Sequence, residues 1–342
     1  ENHPLSRAQE IMKACEGKTA ALTSLEQKDK TANGPRLYDL TTLQRDANRL
    51  HGMTAQQTLD SAQRLYEKKL ITYPRTDSKF ITSDMEQPAC ELVQTVCAAF
   101  TWAQGIDIQP DLSRSANDAK VGDHHAILPT RQIARANLSA LDAVDAEILK
   151  LVCQRLILSA SPAYLYRSVE AEIQCEGHVF KARGKTTMQE GWKAVQKQIN
   201  AGDTGEEDES ALGDNALPPL RQGDILEVRE AGLVEHVTTP PRHYTEDTLL
   251  SSMETAGNDE LDKSLDTEKK GLGTPATRAG IIEKLIKSGL AERNKKQIVP
   301  TEKGCKLIDI VPDIMKSPKL TAQWENQLTE IAGGQRDAAD FM

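Results

Sequence analysis

The sequence predicts an α+β multidomain protein in which two mostly helical regions are separated by a β-rich segment. The chain has 342 residues, too many for one hydrophobic core of ordinary size, which favours two or three domains. Apolar residues recur at helical spacing in the first 160 residues and again after residue 245, whereas residues 169–175 alternate apolar and polar side chains. This change of period predicts the order helical block, β block, helical block.

The first helical block begins at Thr41, after a loop and an entry strand that the Asn-Gly-Pro turn at 33–35 predicts. One helix is predicted to end at Gly52. The next is predicted to start at Thr54 with a capping box, because Gln57 stands three residues later. Apolar residues at helical spacing predict the buried faces of these helices: Leu43, Ala47, Leu50, Leu59, Ala62, Leu65 and Tyr66.

Residues 70–74 are predicted to be extended, because the proline that closes them disfavours a helical residue before it. Ser83 with Glu86 three residues later predicts another capping box, and Pro88 is expected to open the helix that follows. A long helix is predicted over residues 137–159, where apolar residues again recur at helical spacing.

The β block starts with residues 169–175, whose alternation is typical of a half-exposed strand. A hairpin turn is predicted at residues 176–178, and further strands at 223–228 and 233–237. Between them, residues 202–214 carry six acidic and no basic side chains, which predicts a solvated acidic loop.

The second helical block is predicted to start at Thr245 with a helix that ends at Gly257. In the next helix, Thr274 is the expected N-cap with Pro275 at the first position, and Gly289 ends the helix. A short basic hairpin and more helix are predicted to follow. The inward residues of the helix after Pro275 are predicted to be Ile281, Ile282, Leu285 and Ile286.

Composition limits the classes of protein that fit. The net charge of −9 is unlike the basic footprint of a simple nucleic-acid binder, although the 202–214 loop alone holds six negative charges. The six cysteines include no C-x-x-C pair, which argues against a zinc ribbon or disulfide framework and fits a reducing cytosol. We expect no membrane association, because no apolar run approaches spanning length and the N-terminus lacks a signal-peptide pattern.

The segment LITYPRTDS at residues 70–78 holds a candidate nucleophile. Tyr73 and Arg75 lie two apart in an extended chain and therefore address the same side, with Pro74 restricting the backbone between them. A phenol ionises only at about pH 10, so attack on phosphorus needs a cation, and an arginine fork matches phosphate oxygens. The resulting tyrosyl-phosphate ester would conserve the energy of the broken phosphodiester. Four neighbours can orient either partner by hydrogen bonding: Thr72, Thr76, Asp77 and Ser78.

An ordinary aromatic residue beside a surface arginine would give the same spacing. Motifs elsewhere in the chain are therefore needed to distinguish a catalytic pair from an ordinary one. Six motifs occur in one order over nearly the whole chain: LYDLTTLQRDANRL (37–50), ITYPRTD (71–77), HHAILPT (124–130), PPRHYTEDTLL (240–250), GLGTPATRAGIIEKLIKSGL (271–290) and LTAQWENQLTEIAGG (320–334). Together they resemble the type IA DNA topoisomerases, and most closely the topoisomerase III branch.

This resemblance implies roles for individual residues. Tyr73 would become linked to the 5′-phosphate of a cut single strand, with Arg75 assisting it. His124 matches the family's histidine beside the DNA phosphate, whereas His125 stands where relatives vary. Thr277 matches a threonine near the DNA backbone. The other candidate DNA contacts are Thr72, Asp77, Ser78, Arg242 and Arg278.

The resemblance also implies a domain plan, that of the type IA topoisomerase ring. Residues 1–39 and 162–240 would form an antiparallel β arch, or hinge domain, carrying the acidic loop 202–214. Residues 40–161 would form the helical domain that bears the tyrosine. Residues 241–342 would form a helical domain with a winged-helix-like element, packing on a Toprim domain. Single-stranded DNA would lie along the catalytic face, and duplex DNA would occupy the hole of the ring.

In the family, an N-terminal Toprim domain supplies the Mg²⁺ site, and no Toprim-like motif precedes Tyr73. We therefore expect no metal ligands in this chain and no relaxation of supercoiled DNA until a Toprim domain is supplied. The whole enzyme would need Mg²⁺ but not ATP. It would work on DNA in the bacterial cytoplasm, with a helicase as a further candidate partner.

Three other classes of DNA-binding protein are alternatives to a topoisomerase. A non-catalytic single-stranded-DNA-binding module derived from the enzyme would carry the same motifs, and this alternative stays open. A tyrosine recombinase has its arginines and histidine before the tyrosine, whereas His124 follows Tyr73. A relaxase with a His-hydrophobic-His motif would separate its two histidines, whereas His124 and His125 are adjacent.

Overall fold

The computed structural model describes residues 5–201, 215–256 and 271–341. In chain order, its helices and strands are α1 (Leu5–Cys15), β1 (Thr19–Ala32), α2 (Leu40–His51), α3 (Ala55–Glu67), α4 (Glu86–Ala99), α5 (Ala143–Ala160), β2 (Tyr164–Cys175), β3 (His178–Gln189), α6 (Trp192–Asn200), β4 (Ile225–Glu227), α7 (Glu246–Thr255), α8 (Pro275–Lys287), β5 (Ala291–Asn294), β6 (Gln297–Pro300), α9 (Glu302–Ile310), α10 (Asp313–Lys316) and α11 (Pro318–Ala332). The mixed helical and antiparallel architecture confirms the predicted fold class. The predicted acidic loop at 202–214 and the predicted helix end at Gly257 lie outside the described residues.

The chain divides into two compact units. The first contains Glu1–Gly34, Ile106–Gln109 and Ser161–Pro241, and the second contains Pro35–Gly105, Pro110–Ala160 and Arg242–Met342. The β-rich elements belong to the first unit. Both predicted helical regions fall in the second unit, although their separation into two domains stays a prediction.

An antiparallel sheet in the order β3-β2-β1-β4 forms the first unit. The turn between β2 and β3 has positive φ at Glu176 (48°) and Gly177 (78°), as the twist of a tight hairpin requires, which confirms the predicted hairpin. The strand predicted at 223–228 is observed as β4. The strand predicted at 233–237 is wrong, because that segment pairs with no strand and leaves Val234 and Val237 73% and 82% exposed.

Helix termini in the second unit follow local capping chemistry. Thr54 and Gln57 form the predicted capping box of α3, and Gly52 ends α2 in the left-handed conformation with φ 66°, where a side chain would be disfavoured. The N-cap of α2 is Asp39, whose carboxylate accepts a 2.7 Å hydrogen bond from the amide of Thr42. Thr274 caps α8 as predicted, with Pro275 in its first turn.

Ser83 does not cap a helix, which corrects one prediction. Its amide and hydroxyl both donate 2.8 Å hydrogen bonds to the carboxylate of Asp118, and α4 begins at Glu86, before Pro88. The long helix predicted from Asn137 begins at Ala143, because a 3₁₀ turn occupies Leu138–Ala140.

Some predicted inward residues are exposed instead. Leu50 and Tyr66 keep 50% and 39% of their surface accessible, and Ile281 and Leu285 each keep 39%. The periodic spacing was correct, but the neighbouring elements cover only part of each predicted face.

A hydrophobic cluster joins α2 and α3 to α7 and α8 within the second unit. Its buried members are Leu40, Ala55, Leu59, Leu250, Met253, Ala279 and Ile282. Beside it, the buried carboxylate of Glu246 accepts a 2.5 Å hydrogen bond from the amide of Ala55 and a 2.7 Å bond from Arg293. The early and late segments of the chain are thus packed together. Helix α8, the β5–β6 hairpin and α9 follow in the predicted order, and Lys295 has φ 55° at the hairpin turn.

Across the described ranges, no helix is both long and apolar enough to span a lipid bilayer.

Candidate active site around Tyr73

Two extended segments lie side by side in the second unit and carry the candidate residues. Residues 70–81 run along residues 115–130, with isolated bridges between Ile71 and Pro129 and between Ile81 and Ala116. The amide of Thr72 also donates a 2.9 Å hydrogen bond to the carbonyl of Leu128. Backbone pairing therefore aligns the tyrosine motif with the histidine motif.

Burial alternates along the tyrosine motif. Pro74, Thr76 and Ser78 are buried, whereas Tyr73 is half-buried and Arg75 is exposed. Alternate side chains of an extended segment point to opposite sides. The pattern therefore puts Tyr73, Arg75 and the exposed Asp77 on the outward side.

The hydroxyl groups on the inward side hold the two segments together. Thr76 Oγ1 donates a 3.1 Å hydrogen bond to the carbonyl of His124, and Ser78 Oγ donates a 2.8 Å bond to the carbonyl of Lys120. Thr72 Oγ1 accepts a 2.9 Å bond from the amide of Leu128. Thr72 and Ser78, predicted as DNA contacts, thus have backbone partners in the protein.

The rings of Tyr73 and His124 are in contact. Their centroids lie 4.3 Å apart with an interplanar angle of 43°, and the Tyr66 ring meets Tyr73 edge-on at 5.4 Å and 78°. His124 is exposed, whereas Nδ1 of His125 lies 2.7 Å from the carbonyl of Ala126. The structure therefore brings the predicted nucleophile next to the predicted histidine and leaves His125 with a local backbone contact.

Arg75 is a cation without a partner in the part of the chain that the structure describes. Its side chain is exposed, and neither a hydrogen bond nor an ion pair links its guanidinium to another described residue. An exposed guanidinium on the same side of the extended segment as Tyr73 is available to an incoming anion, and its fork suits the oxygens of a phosphate.

Sequence reasoning missed an aromatic–cationic cluster that adjoins this site. The guanidinium of Arg36 lies 4.5 Å from the centroid of the Phe80 ring, and the ammonium of Lys120 lies 5.0 Å from it. Arg36 and Lys120 are exposed and Phe80 is half-buried. Phe80 follows the tyrosine motif directly, which was the one available signal, but no local pattern places Arg36 or Lys120 beside it.

The predicted contacts in the late motifs differ in their surroundings. Thr277 is exposed, but its hydroxyl accepts a 2.9 Å hydrogen bond from the amide of Thr274 within the capping box. Arg278 is only 5% exposed and donates to Thr41 Oγ1 at 2.9 Å and to the carbonyl of Leu272 at 3.2 Å. Burial lowers the pKa of the Arg278 guanidinium. Arg278 is therefore a packing residue in this arrangement, whereas Arg242 is exposed.

The described residues do not fit a metal site. Over those residues, no three side chains of the His, Cys, Asp or Glu type come together in a group that could hold an ion.

Comparisons with known proteins relate this chain to DNA topoisomerases. The family model described as DNA topoisomerase matches residues 4–342. DNA topoisomerase 3 of Bacillus subtilis is 40% identical over 97% of this chain and 46% of its own length. DNA topoisomerase 3 of Bacillus licheniformis is 39% identical over 96% of this chain and 46% of its own length. The chain thus spans about half the length of these curated relatives.

The fold is similar to that of the full-length topoisomerase I from Thermotoga maritima. The two structures agree with a TM-score of 0.69 at 21% sequence identity, over 98% of this chain and 52% of the other. The family match covers the Tyr73 and His124 segments as well as the late helical motifs. The chain belongs to the type IA DNA topoisomerase family, in the topoisomerase III branch.

Proposed function

We propose that Tyr73 is the nucleophile that cuts one DNA strand. Its phenolic oxygen attacks the phosphorus of a phosphodiester, forms a tyrosyl 5′-phosphate and breaks the bond to the 3′ oxygen. The phenol loses a proton, and the departing 3′ oxygen gains one. Attack of that 3′ hydroxyl on the ester reverses the step, so resealing needs no ATP. The observation that supports this role most directly is the contact of the Tyr73 and His124 rings at 4.3 Å.

Arg75 and His124 have complementary tasks in this proposal. The exposed guanidinium of Arg75 stabilises the negative charge that grows on the phosphate oxygens during attack. His124 donates a hydrogen bond to the same phosphate, a role open to an exposed imidazole. Arg36 and Lys120 around Phe80 hold the backbone of the strand next to the cut, which makes the grip sensitive to salt.

The chain supplies the tyrosine half of the reaction centre. We propose that the rest of the centre is a Toprim domain with its Mg²⁺, as the family resemblance implies. The supporting fact is that the chain spans 46% of the length of the Bacillus subtilis relative. The whole enzyme would pass a second strand through the break, relaxing or decatenating DNA in the bacterial cytoplasm.

Relaxation of a negatively supercoiled plasmid with Mg²⁺ tests whether the chain needs a Toprim domain for activity. We expect no relaxation by the chain alone. We expect relaxation when the N-terminal half of the Bacillus subtilis relative is fused upstream of it. Full relaxation by the chain alone would contradict the proposal that it lacks part of the centre.

Trapping the covalent adduct tests the nucleophile. A single-stranded oligonucleotide labelled at its 3′ end should leave its label on the fused protein after denaturation, because the cut strand stays attached through its 5′-phosphate. Tyr73→Phe should abolish the labelled band. Tyr66→Phe, a matched change in the adjacent tyrosine, should retain it. Labelling of the Tyr73→Phe protein would exclude Tyr73 as the nucleophile, and DNA binding without any adduct would favour the non-catalytic module.

A further inference from the structure

A second aromatic–cationic cluster lies in the first unit, where no candidate residue was placed. The rings of Tyr164 and Tyr166 stack at 5.2 Å with an interplanar angle of 25°. The ammonium of Lys185 lies 4.6 and 4.8 Å from their centroids. The ammonium of Lys193 lies 4.4 Å from the Tyr164 ring and 5.9 Å from the Trp192 ring. We call these five residues the tyrosine–lysine cluster.

Strand register extends this cluster across one face of the sheet. Tyr166 is paired with Lys30 on β1 and with Thr187 on β3. Residues directly opposite each other in antiparallel strands have side chains on the same face. Lys185, two residues before Thr187 on β3, shares this face. Exposed Lys30 therefore adds a third ammonium beside the two that surround Tyr164.

The charge of this end of the face is not compensated. Within the described residues, Lys30, Lys185 and Lys193 have no carboxylate partner. Two ammonium groups held around the Tyr164 ring repel each other, and an anion between them would relieve that repulsion.

Toward the β2–β3 turn, the same face is neutralised. Lys181 pairs with Glu172 at 3.1 Å, and Arg183 pairs with Glu170 at 3.4 Å. Strand β3 thus carries the paired cations Lys181 and Arg183 on the side of the turn and the unpaired Lys185 farther along. This asymmetry shows that the basic end is a local feature of the sheet rather than a general excess of lysine.

We propose that the tyrosine–lysine cluster and Lys30 form a binding site for the sugar-phosphate backbone of single-stranded DNA. Three cations on an open sheet face match a chain of phosphates better than one small anion, which would need a concave pocket. Half-buried Tyr166 and Trp192 offer ring edges to sugars and bases. The choice of DNA as the polyanion rests on the proposed function, whereas the site itself rests on the charges and rings of the first unit.

Fluorescence anisotropy with a labelled oligothymidylate tests the site on the chain as it exists. The double variant Lys185→Gln/Lys193→Gln should lower affinity at least tenfold. It should also reduce the slope of log affinity against log salt by about 1.4, because each lost phosphate contact on a single strand accounts for about 0.7. The matched control Lys181→Gln/Arg183→Gln removes the same net charge from the paired positions of β3 and should change affinity less than twofold.

Several outcomes separate this proposal from the proposed function. Equal losses in the two double variants would overturn the site, because they would reflect net charge alone. A loss seen only with duplex DNA would overturn the assignment to single strands. Thermal unfolding of both double variants should match that of the parent chain, and a lower melting temperature in Lys185→Gln/Lys193→Gln alone would assign the lysines to packing. Failure of the adduct experiment would leave this site intact, because the comparison of the two double variants measures binding and needs no tyrosine nucleophile.

Discussion

The hydroxyl of Thr76 donates a 3.1 Å hydrogen bond to the main-chain carbonyl of His124. The same oxygen accepts a 3.1 Å hydrogen bond from the amide of Ser78. One buried hydroxyl therefore joins the tyrosine motif to the histidine motif next to the point where the Tyr73 and His124 rings meet.

Thr76→Val should lower the free energy of unfolding by about 1–2 kcal/mol, because it leaves the carbonyl of His124 and the amide of Ser78 without their partner. Urea unfolding measures this loss. The ring-proton shifts of His124, which report the neighbouring Tyr73 ring, should move toward those of a free histidine. Thr76→Ser keeps the hydroxyl and should stay close to the parent on both measurements. Equal behaviour of the two variants would show that the hydroxyl does not hold the junction.

Tyr66→Leu should reduce the yield of the covalent adduct about threefold to tenfold in the fused enzyme. The edge-on contact of Tyr66 with Tyr73 restrains the ring that carries the nucleophile, and an aromatic pair contributes about 0.5–1.5 kcal/mol. The measurement is the labelled band from a 3′-labelled oligonucleotide. Tyr66→Phe preserves the ring contact and serves as the control. An undiminished yield from Tyr66→Leu would mean that other contacts orient Tyr73.

Asp145 predicts a dependence of stability on pH. Burial alone raises the pKa of this carboxyl, but hydrogen bonds from Arg64, Lys68 and Ser61 outweigh it and hold the pKa below the ordinary value of 3.8. A carboxyl with a lower pKa in the folded state stabilises the fold above its unfolded pKa and loses that effect as pH falls through the folded pKa. In the unfolded chain the pKa of an aspartate is about 3.9. We therefore expect this contribution to be constant from pH 5 to 7 and to be lost as the pH falls below 4.

Asp145→Asn tests that contribution through urea unfolding at several pH values. At pH 7 the free energy of unfolding should fall by about 2 kcal/mol, because the partly exposed Arg64 and Lys68 lose a buried partner, and the dependence on acid should become shallower. Asp142→Asn is the control: its Oδ1 accepts a 2.8 Å hydrogen bond from the amide of Asp145, and asparagine caps equally well. Identical acid dependence in Asp145→Asn and the parent would refute the assignment.

The variant Arg278→Met tests whether Arg278 serves to pack the fold or to contact DNA. The guanidinium is buried against Thr41 and Leu272, so its loss should lower the free energy of unfolding by about 1–3 kcal/mol. Affinity of the folded chain for oligothymidylate should change less than twofold, whereas exposed Arg242 replaced by Gln should lower it more. An equal loss of affinity in both variants would mean that Arg278 leaves its packed position to reach DNA.

Local features were predictable from sequence because neighbouring residues determine them. The capping box of Thr54 and Gln57, the left-handed Gly52 and the tight turn at Gly177 all depend on contacts within a few residues. Predictions failed where a partner lay far along the chain. Ser83 resembles a helix cap but donates a hydrogen bond to Asp118. The residues around Ser83 give no indication of this partner.

The sequence by itself determined the family and predicted the chemistry. The order Tyr73, Arg75, His124 and the late motifs identifies the topoisomerase resemblance without reference to any contact. Only the tertiary structure decided which of these side chains are in contact, which are exposed to solvent and which are buried. It placed His124 on Tyr73, left Arg75 unpaired among the described residues and buried Arg278. Contacts between distant segments depend on how whole helices and strands pack, whereas local spacing reports only the element on which a residue lies.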